Sequence, residues 1–269
     1  MKKLMQIYTD FLISSFGKIE MTKLSKVIDG IYSHDVFTKM LLNYNKSIDI
    51  DKELWHKVKG FLRDHEDEKD GCIAIDDTIL HKPHTKESDI ITWHYDHSEG
   101  RCVKGICMLN FHYTNREGVS IPLDYEIISK TEKYKDKKSS KEKKRSKFTK
   151  NEVLRDKLLL LQFGNGVKYR YVLMDSWFIS AENMEFIDKV LNKKFISPLK
   201  SNRVVALSFK DKIEGRYVSI SSIDMEGCSS RLVYVRGYSK PLKLTKQVSK
   251  DGNDGKSTYL YLGACRKII

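Results

Sequence analysis

The spacing of apolar residues divides the chain into a helical first quarter and a remainder that is rich in strands. Up to about residue 65, apolar positions recur three and four residues apart, the spacing of one helix face, as at Leu24, Val27, Ile28 and Ile31. Gly30 suits the end of that helix, and a second short helical run follows. Two short helices joined by a tight turn fit a helix-turn-helix that binds DNA and, equally, an ordinary helical hairpin. A third helix is predicted over residues 52–63.

Beyond a charged linker, the pattern changes to that of strands. Three segments rich in Ile, Val, Tyr and Phe are predicted as consecutive strands: "CIAIDDTIL", "RCVKGICMLNFHYT" and "VSIPLDYEII". A helix over residues 151–163, the strand "YRYVLMDSWF", the helix "SAENMEFIDKVL" and the strand "KKFISPLKSN" follow. His94 and His97 are placed in a turn between the first strands. From residue 203 onward, four more strand-like segments alternate with turns.

Three strands, helix, strand, helix, strand is the element order of the ribonuclease H-like fold, in which the first and fourth strands are parallel neighbours. We therefore predict an α/β protein with a mixed (α+β) sheet. Its chain is divided into three regions. Residues 1–68 form a helical N-terminal region that binds DNA, residues 69–202 form the ribonuclease H-like core, and residues 203–269 form a β-rich insertion.

Acidic residues are predicted near the ends of those two neighbouring strands. Asp76 and Asp77 end the apolar part of the first strand, and Asp175 follows the apolar part of the fourth. Neighbouring strands are about 4.8 Å apart, and two carboxylates at about 5 Å repel by about 3 kcal/mol at an effective dielectric constant of 20. A cation relieves that repulsion, and oxygen ligands alone suit Mg²⁺ or Mn²⁺. Asp76 and Asp175 are therefore the predicted metal ligands.

Charge indicates a polyanionic partner. Lys and Arg number 49 against 36 Asp and Glu, giving a net charge of +13. Residues 129–150 alone hold eleven basic and three acidic residues, and we predict a flexible loop that contacts the phosphate backbone. The predicted DNA contacts are Lys137, Lys138, Lys141, Lys143, Lys144, Arg145 and Lys147 in this loop, with Lys200 and Arg203 near the acids.

The remaining composition favours a cytoplasmic, nucleoid-associated protein. The five cysteines form no CxxC pair, which argues against a zinc module and a disulfide framework and for reduced thiols. No apolar run approaches the roughly 20 residues of a membrane span, and the N-terminal apolar stretch is interrupted by Asp10.

Several segments together resemble the DDE transposases of bacterial insertion sequences, specifically the group with a helical N-terminal region and a β-rich insertion before the last acid. They are "IAIDDTIL", "WHYDHSEGRCVKGICMLNFHY", "YVLMDSWFISAENMEFI" and "KFISPLKSNR", with "SHDVFTKML" and "TKNEVLRDKLL" in support. The resemblance implies that Asp76, two residues before Thr78, is the first catalytic acid, with Asp77 as the alternative, and that Asp175 is the second. It further implies two divalent metal ions, double-stranded DNA at element ends as substrate, and a homodimer.

The resemblance also implies a third acid, a Glu on a helix within the pattern Y-x-x-R-x-x-x-E-x-x-x-x-x-x-K. No segment matches this pattern, and Glu214 and Glu226 are expected in a strand-rich context without a helix. We therefore expect a transposase that lacks its last catalytic helix. Three functions stay open at this point. The first is Mg²⁺-dependent cleavage and strand transfer in DNA transposition, by a truncated or inactive copy, and the second is DNA binding without catalysis, as a transposition inhibitor. The third is a complete metal-dependent nuclease with a noncanonical third acid.

Overall fold

The structure, a computed structural model, describes residues 2–16, 19–47, 50–137, 140, 142–200, 202–225, 230–249 and 256–262. The helices are α1 Lys2–Ser14, α2 Met21–Val27, α3 His34–Ser47, α4 Ile50–His65, α5 Lys150–Leu159, α6 Ala181–Glu185 and α7 Phe209–Ile213. The strands are β1 Cys72–His81, β2 Thr92–Asp96, β3 Arg101–Thr114, β4 Ser120–Ile127, β5 Glu132–Lys135, β6 Glu142–Arg145, β7 Tyr171–Met174, β8 Lys194–Pro198, β9 Val204–Val205, β10 Val218–Ser219, β11 Ser230–Val233, β12 Leu242–Ser249 and β13 Lys256–Leu262. Both α5 and α6 continue into one π-helical turn.

The chain divides into two compact units, residues 1–57 and 58–269, with the division inside α4. The first unit is helical, as predicted, and its core consists of Phe11, Leu24, Phe37 and Met40. After α2 the backbone turns through two residues of positive φ, Asp29 and Gly30. A DNA-binding role for this unit, and the predicted boundary at residue 68, stay predictions.

The second unit is built on a nine-stranded mixed sheet in the order β11-β12-β13-β8-β7-β1-β3-β2, and β4 pairs with β3 as well. Strand β1 is antiparallel to β3 and parallel to β7, which is in turn parallel to β8. The last three strands extend the sheet beyond β8, since β13 pairs antiparallel with it. This α/β arrangement, with the first strand beside the fourth predicted one, confirms the ribonuclease H-like fold.

A glycine contact fixes how β1 and β7 begin. The carbonyl of Gly71 accepts hydrogen bonds from the N–H groups of Arg170 (2.8 Å) and Tyr171 (3.1 Å). A Cβ at residue 71 would collide with the Asp67 carbonyl and the Tyr113 ring. Glycine at residue 71 therefore allows the chain to pack closely against Asp67 and Tyr113 just before β1.

Two segments have a secondary structure that differs from the prediction. His94 lies in a strand, β2, and is buried, whereas the sequence placed it in a turn. The basic segment 129–150 contains a two-stranded hairpin, β5 and β6, where a flexible loop was predicted. Ion pairs within this hairpin, Lys133 with Glu142 (2.9 Å) and Arg145 with Glu132 (3.1 Å), offset part of its charge and allow it to pair.

A further difference concerns residues 203–225, where the pattern predicted strands. The structure there contains the short helix α7, two strands of two residues each and a 3₁₀ turn. Ser208 caps α7, because its side chain accepts a hydrogen bond from the N–H of Asp211. Glu214 therefore ends a helix, contrary to expectation, and Glu226 lies outside the described residues.

Candidate active site beside the end of β7

The pairing of β1 with β7 brings Asp76 and Asp175 together. The last registered pair is Ile75 with Met174, and each acid is the next residue along its strand. Ile75 and Met174 are both buried, so the acids that follow them share the opposite face of the sheet. Strand β1 does not end there as predicted: it continues to His81, because the 14-residue β3 offers it a partner throughout.

Each of these carboxylates is anchored by the backbone that follows it. The N–H of Asp77 donates to Oδ1 of Asp76 (2.9 Å), and the N–H of Ser176 donates to Oδ1 of Asp175 (2.6 Å). Among the described residues, Oδ2 of each acid has no hydrogen-bond partner. Burial, and then the charges of Asp77 and Asp175, raise the pKa of Asp76, while the Asp77 N–H and Lys150 oppose them. The site thus concentrates negative charge.

By strand alternation Asp77 points to the other side of β1, the side of Ile73 and Ile75, and it still borders the groove described below. Its Oδ2 accepts a hydrogen bond from the ammonium of Lys150, the first residue of α5, and a longer contact of 3.8 Å from Sγ of Cys107. Burial lowers the pKa of Lys150, but the hydrogen bond to Asp77 and the charge of that carboxylate outweigh it, and the net shift is upward. The two adjacent acids therefore have different surroundings: Asp76 faces Asp175, and Asp77 is ion-paired.

An open groove of about 310 Å³ leads to the acids, lined by Asp76, Asp77 and Asp175 and by the turn after β2. One wall is aromatic. The ring of His97 stacks on Trp177 at 3.7 Å between centroids, and Tyr95 packs edge-on against His97. About half of the Trp177 side chain remains exposed. The groove has the open shape that a polymer substrate requires.

The same groove contains a fourth acid, Asp96, with a different role. His81, Asp96 and Glu99 are the group of three metal-ligating side chains that converges in the described part of the chain. His81 lies between the two acids, with Nε2 at 3.1 Å from Asp96 and Nδ1 at 3.5 Å from Glu99. Ser98 also donates twice to Oδ1 of Asp96. Hydrogen bonds and ion pairs among these side chains and Ser98 therefore explain why the cluster converges without a metal ion.

The predicted basic contacts on the hairpin are largely ion-paired in the free chain. Lys143 pairs with Asp136 (2.8 Å), Lys144 pairs with Asp89 (3.0 Å), and Arg145 pairs with Glu132 and lies over the Tyr134 ring. Lys137 and Lys147 are exposed. Lys138 and Lys141 fall outside the described residues.

Of the two basic residues predicted nearer the acids, one borders the groove. The ammonium of Lys200 lies over the ring of Trp177. The guanidinium of Arg203 instead donates to the carbonyl of Ile179 (2.6 Å), so part of its hydrogen-bonding capacity is used within the fold. The sequence placed His97 in a turn, where it lies, but missed Tyr95 and Lys150. The pattern Thr149-x-x-Glu152, typical of a helix start, was the available signal for Lys150.

A ribonuclease H-like sheet with two carboxylates at the edge of paired parallel strands defines the class of nucleic-acid nucleases that use divalent metal ions. Residues 12–217 match the family model of the DDE superfamily endonucleases. This match covers more than half of the chain, and the protein belongs to that family. A comparison with curated proteins finds no match.

The family assignment indicates a nuclease or transposase type of function, with DNA as the substrate and divalent metal ions as cofactors. No helix among the described residues is long and apolar enough to cross a membrane. Within those same residues, no third carboxylate converges with Asp76 and Asp175. The expected loss of the last catalytic helix stays a prediction.

Proposed function

We propose that the protein cleaves and joins DNA phosphodiester bonds in transposition, with Asp76 and Asp175 as ligands of Mg²⁺ or Mn²⁺. The observation that carries this proposal is the β1–β7 register, which puts the two acids side by side on one face. Because Asp77 is on the other face and paired with Lys150, we assign the first acid to Asp76. The family match to DDE endonucleases supports cleavage of DNA as the function.

The donor set fits a hard divalent ion. Both candidate ligands are carboxylates, and in each the backbone N–H holds Oδ1, so the second oxygen is available in a fixed orientation. Asp76 and Asp175 would hold divalent ions, and a pair of such ions would supply activation of the attacking oxygen and stabilisation of the leaving oxygen in a phosphoryl displacement. The protein's own contribution is to hold the two carboxylates in place and to align the DNA strand along the groove.

Cations near the groove provide the DNA contacts in this proposal. Lys200 beside Trp177 is placed to bind a phosphate close to the acids. The hairpin β5–β6 supplies more distant phosphate contacts, for which its surface ion pairs can be exchanged, since such pairs contribute only about 0–1 kcal/mol. Transposition as the outcome, element ends as the substrate and a homodimer as the active form belong to this proposal.

The test is cleavage of supercoiled plasmid DNA by the purified chain in Mg²⁺ or Mn²⁺. We expect Asp76→Asn and Asp175→Asn each to lower the rate by at least about 100-fold, because each removes an ionised ligand. DNA binding without metal should persist in both variants. Asp70→Asn is the matched control: Asp70 lies just before β1, at its other end, and pairs with Arg116 (3.3 Å). Full metal-dependent cleavage by Asp175→Asn would exclude this site.

A second candidate function is DNA binding without catalysis. It is favoured by the absence of a third converging carboxylate among the described residues. The same variants separate the two functions. If the parent chain binds DNA with an affinity that Asp175→Asn leaves unchanged, and cleaves it in neither metal, the binder is the correct description.

A further inference from the structure

Two successive hydrogen bonds connect the start of α5 to the candidate metal ligand Asp76. The ammonium of Lys150 donates to Oδ2 of Asp77 on the far face of the sheet. The backbone N–H of Asp77 donates to Oδ1 of Asp76 on the near face (2.9 Å). Lys150 therefore reaches Asp76 through one residue, and it also lines a cavity of about 200 Å³ beside the groove, with Asp77, His97 and Trp177.

Lys150 is itself held in place by the helix start. Thr149 and Glu152 form a reciprocal cap: the N–H of Thr149 donates to the Glu152 carboxylate (2.7 Å), and the N–H of Glu152 donates to the Thr149 hydroxyl (3.2 Å). Both side chains of the Lys150–Asp77 pair are only about one-third exposed or less, 35% and 26%. An ion pair in such surroundings is screened less than a surface pair and keeps its geometry better.

Helix α5 carries a second ion pair to the sheet, which serves as a comparison for the Lys150–Asp77 pair. Lys157, two turns further along α5, pairs with Asp124 on β4 (3.1 Å) and with Glu126 (3.2 Å), and its side chain is more buried, at 15% exposure. That second pair also joins α5 to the sheet. It has no contact with Asp76 or Asp77, so it reports what an α5–sheet ion pair contributes to stability alone.

We propose that Lys150 is a positioning residue, which holds Asp77 and thereby the Asp76 carboxylate in the orientation that binds the metal ion. This inference rests on the function proposed above. Without the Lys150 ammonium, the half-buried Asp77 carboxylate must find another partner, and the β1 backbone that orients Asp76 moves with it. Loss of residues that orient a metal ligand typically costs about 10–100-fold in metal affinity or activity.

The experiment compares Lys150→Met, Lys150→Arg and Lys157→Met in the full chain. Mn²⁺ binding is measured from the free-ion signal in electron paramagnetic resonance, and plasmid cleavage is measured as a function of Mg²⁺ concentration. We expect Lys150→Met to raise the metal concentration for half-saturation about tenfold in both measurements. Lys150→Arg, which keeps the charge, should recover most of that loss. Lys157→Met should lower the midpoint of denaturation but leave the metal concentration for half-saturation unchanged.

Three outcomes contradict the inference in different ways. Unchanged metal half-saturation in Lys150→Met, with Asp76→Asn still abolishing Mn²⁺ binding, overturns the role of Lys150 and leaves the proposed function intact. An equal shift of the metal half-saturation in Lys157→Met shows that general destabilisation of the fold is responsible. Mn²⁺ binding that does not depend on Asp76 contradicts the proposed function itself, and the binding measurement detects this even in a chain that does not cleave DNA.

Discussion

At the scale of single residues, His94 is the clearest case of a buried titratable group outside the candidate site. It lies in β2 with 6% of its surface exposed, and its Nε2 is 2.9 Å from the Thr92 hydroxyl. Burial, followed by the charges of Lys130 and Lys150, lowers its pKa to about 4, and Asp77 only partly opposes this. The folded protein therefore keeps His94 neutral at pH values where the unfolded chain protonates it.

This shift predicts how stability depends on pH. The unfolded chain binds more protons between pH 4 and 6.5, so stability is full above pH 6.5 and is lost as the pH falls towards 4. The loss attributable to His94 is at most about 3 kcal/mol. In urea denaturation at pH 7.5 and 5.0, His94→Gln should show a smaller difference between the two pH values than the parent chain.

His84→Gln provides the comparison for that measurement, because His84 is exposed in the turn after β1. It should retain the parent's full pH dependence. If the pH dependence of stability is reduced equally in both variants, the effect comes from general histidine titration rather than from the buried ring.

The choice between Asp76 and Asp77 shows what the sequence can and cannot determine at this scale. Strand alternation alone guarantees that two adjacent acids lie on opposite faces. Which of them lies beside Asp175 depends on the register with β7, in which Ile75 pairs with Met174. The sequence therefore predicted the pair of strands correctly, whereas the proposal of Asp76 as the first acid depends on the tertiary pairing of β1 with β7.

At the scale of elements, the start of α5 determines where Lys150 lies. Thr149→Ala removes the hydroxyl that accepts the Glu152 N–H, one side of the reciprocal cap. We expect a loss of about 1 kcal/mol in the free energy of unfolding, measured by chemical denaturation at neutral pH. Thr149→Ser keeps the hydroxyl and should stay within a few tenths of a kcal/mol of the parent. Equal stability of the Ala and Ser variants would show that the cap contributes nothing.

The helices and long strands were predictable because their apolar periods are sustained, whereas the hairpin β5–β6 was not. A run of eleven basic and three acidic residues has no apolar face that would predict a strand. The few acids are nevertheless placed so that Glu132 and Glu142 pair with bases across the hairpin. Pairing of this kind depends on register, which composition does not reveal.

At the scale of the whole molecule, the element order predicted the sheet correctly up to β8, except for β2, which was placed in a turn. Strands that are consecutive or joined by one crossover follow simple rules of handedness and adjacency. The partner of β13 was not predictable, because β13 pairs with β8 across nearly 60 intervening residues and sequence order does not specify such a pairing. The extension of the sheet from β8 to β11 is therefore known only from the structure.

The net charge of +13 belongs to the whole molecule, but the hairpin concentrates it. Lys137 and Lys147 flank the strand pairing of the hairpin and are exposed, and each is predicted to contact a DNA phosphate. In the double variant Lys137→Gln/Lys147→Gln, the log–log slope of DNA affinity against salt should become shallower by up to about 1.8, or about 0.9 for each phosphate that the variant no longer neutralises. The slope is measured from binding to a duplex at several salt concentrations.

The control is a double variant with the same change in total charge, Lys168→Gln/Lys210→Gln, in which both positions are exposed and outside the hairpin. If phosphate contacts are local, this variant keeps the parent's slope, because counterions are released only where lysines meet the backbone. If the diffuse positive field of the molecule attracts the DNA instead, both double variants lower the affinity by the same factor at each salt concentration. That equality would remove the hairpin from the DNA-binding surface.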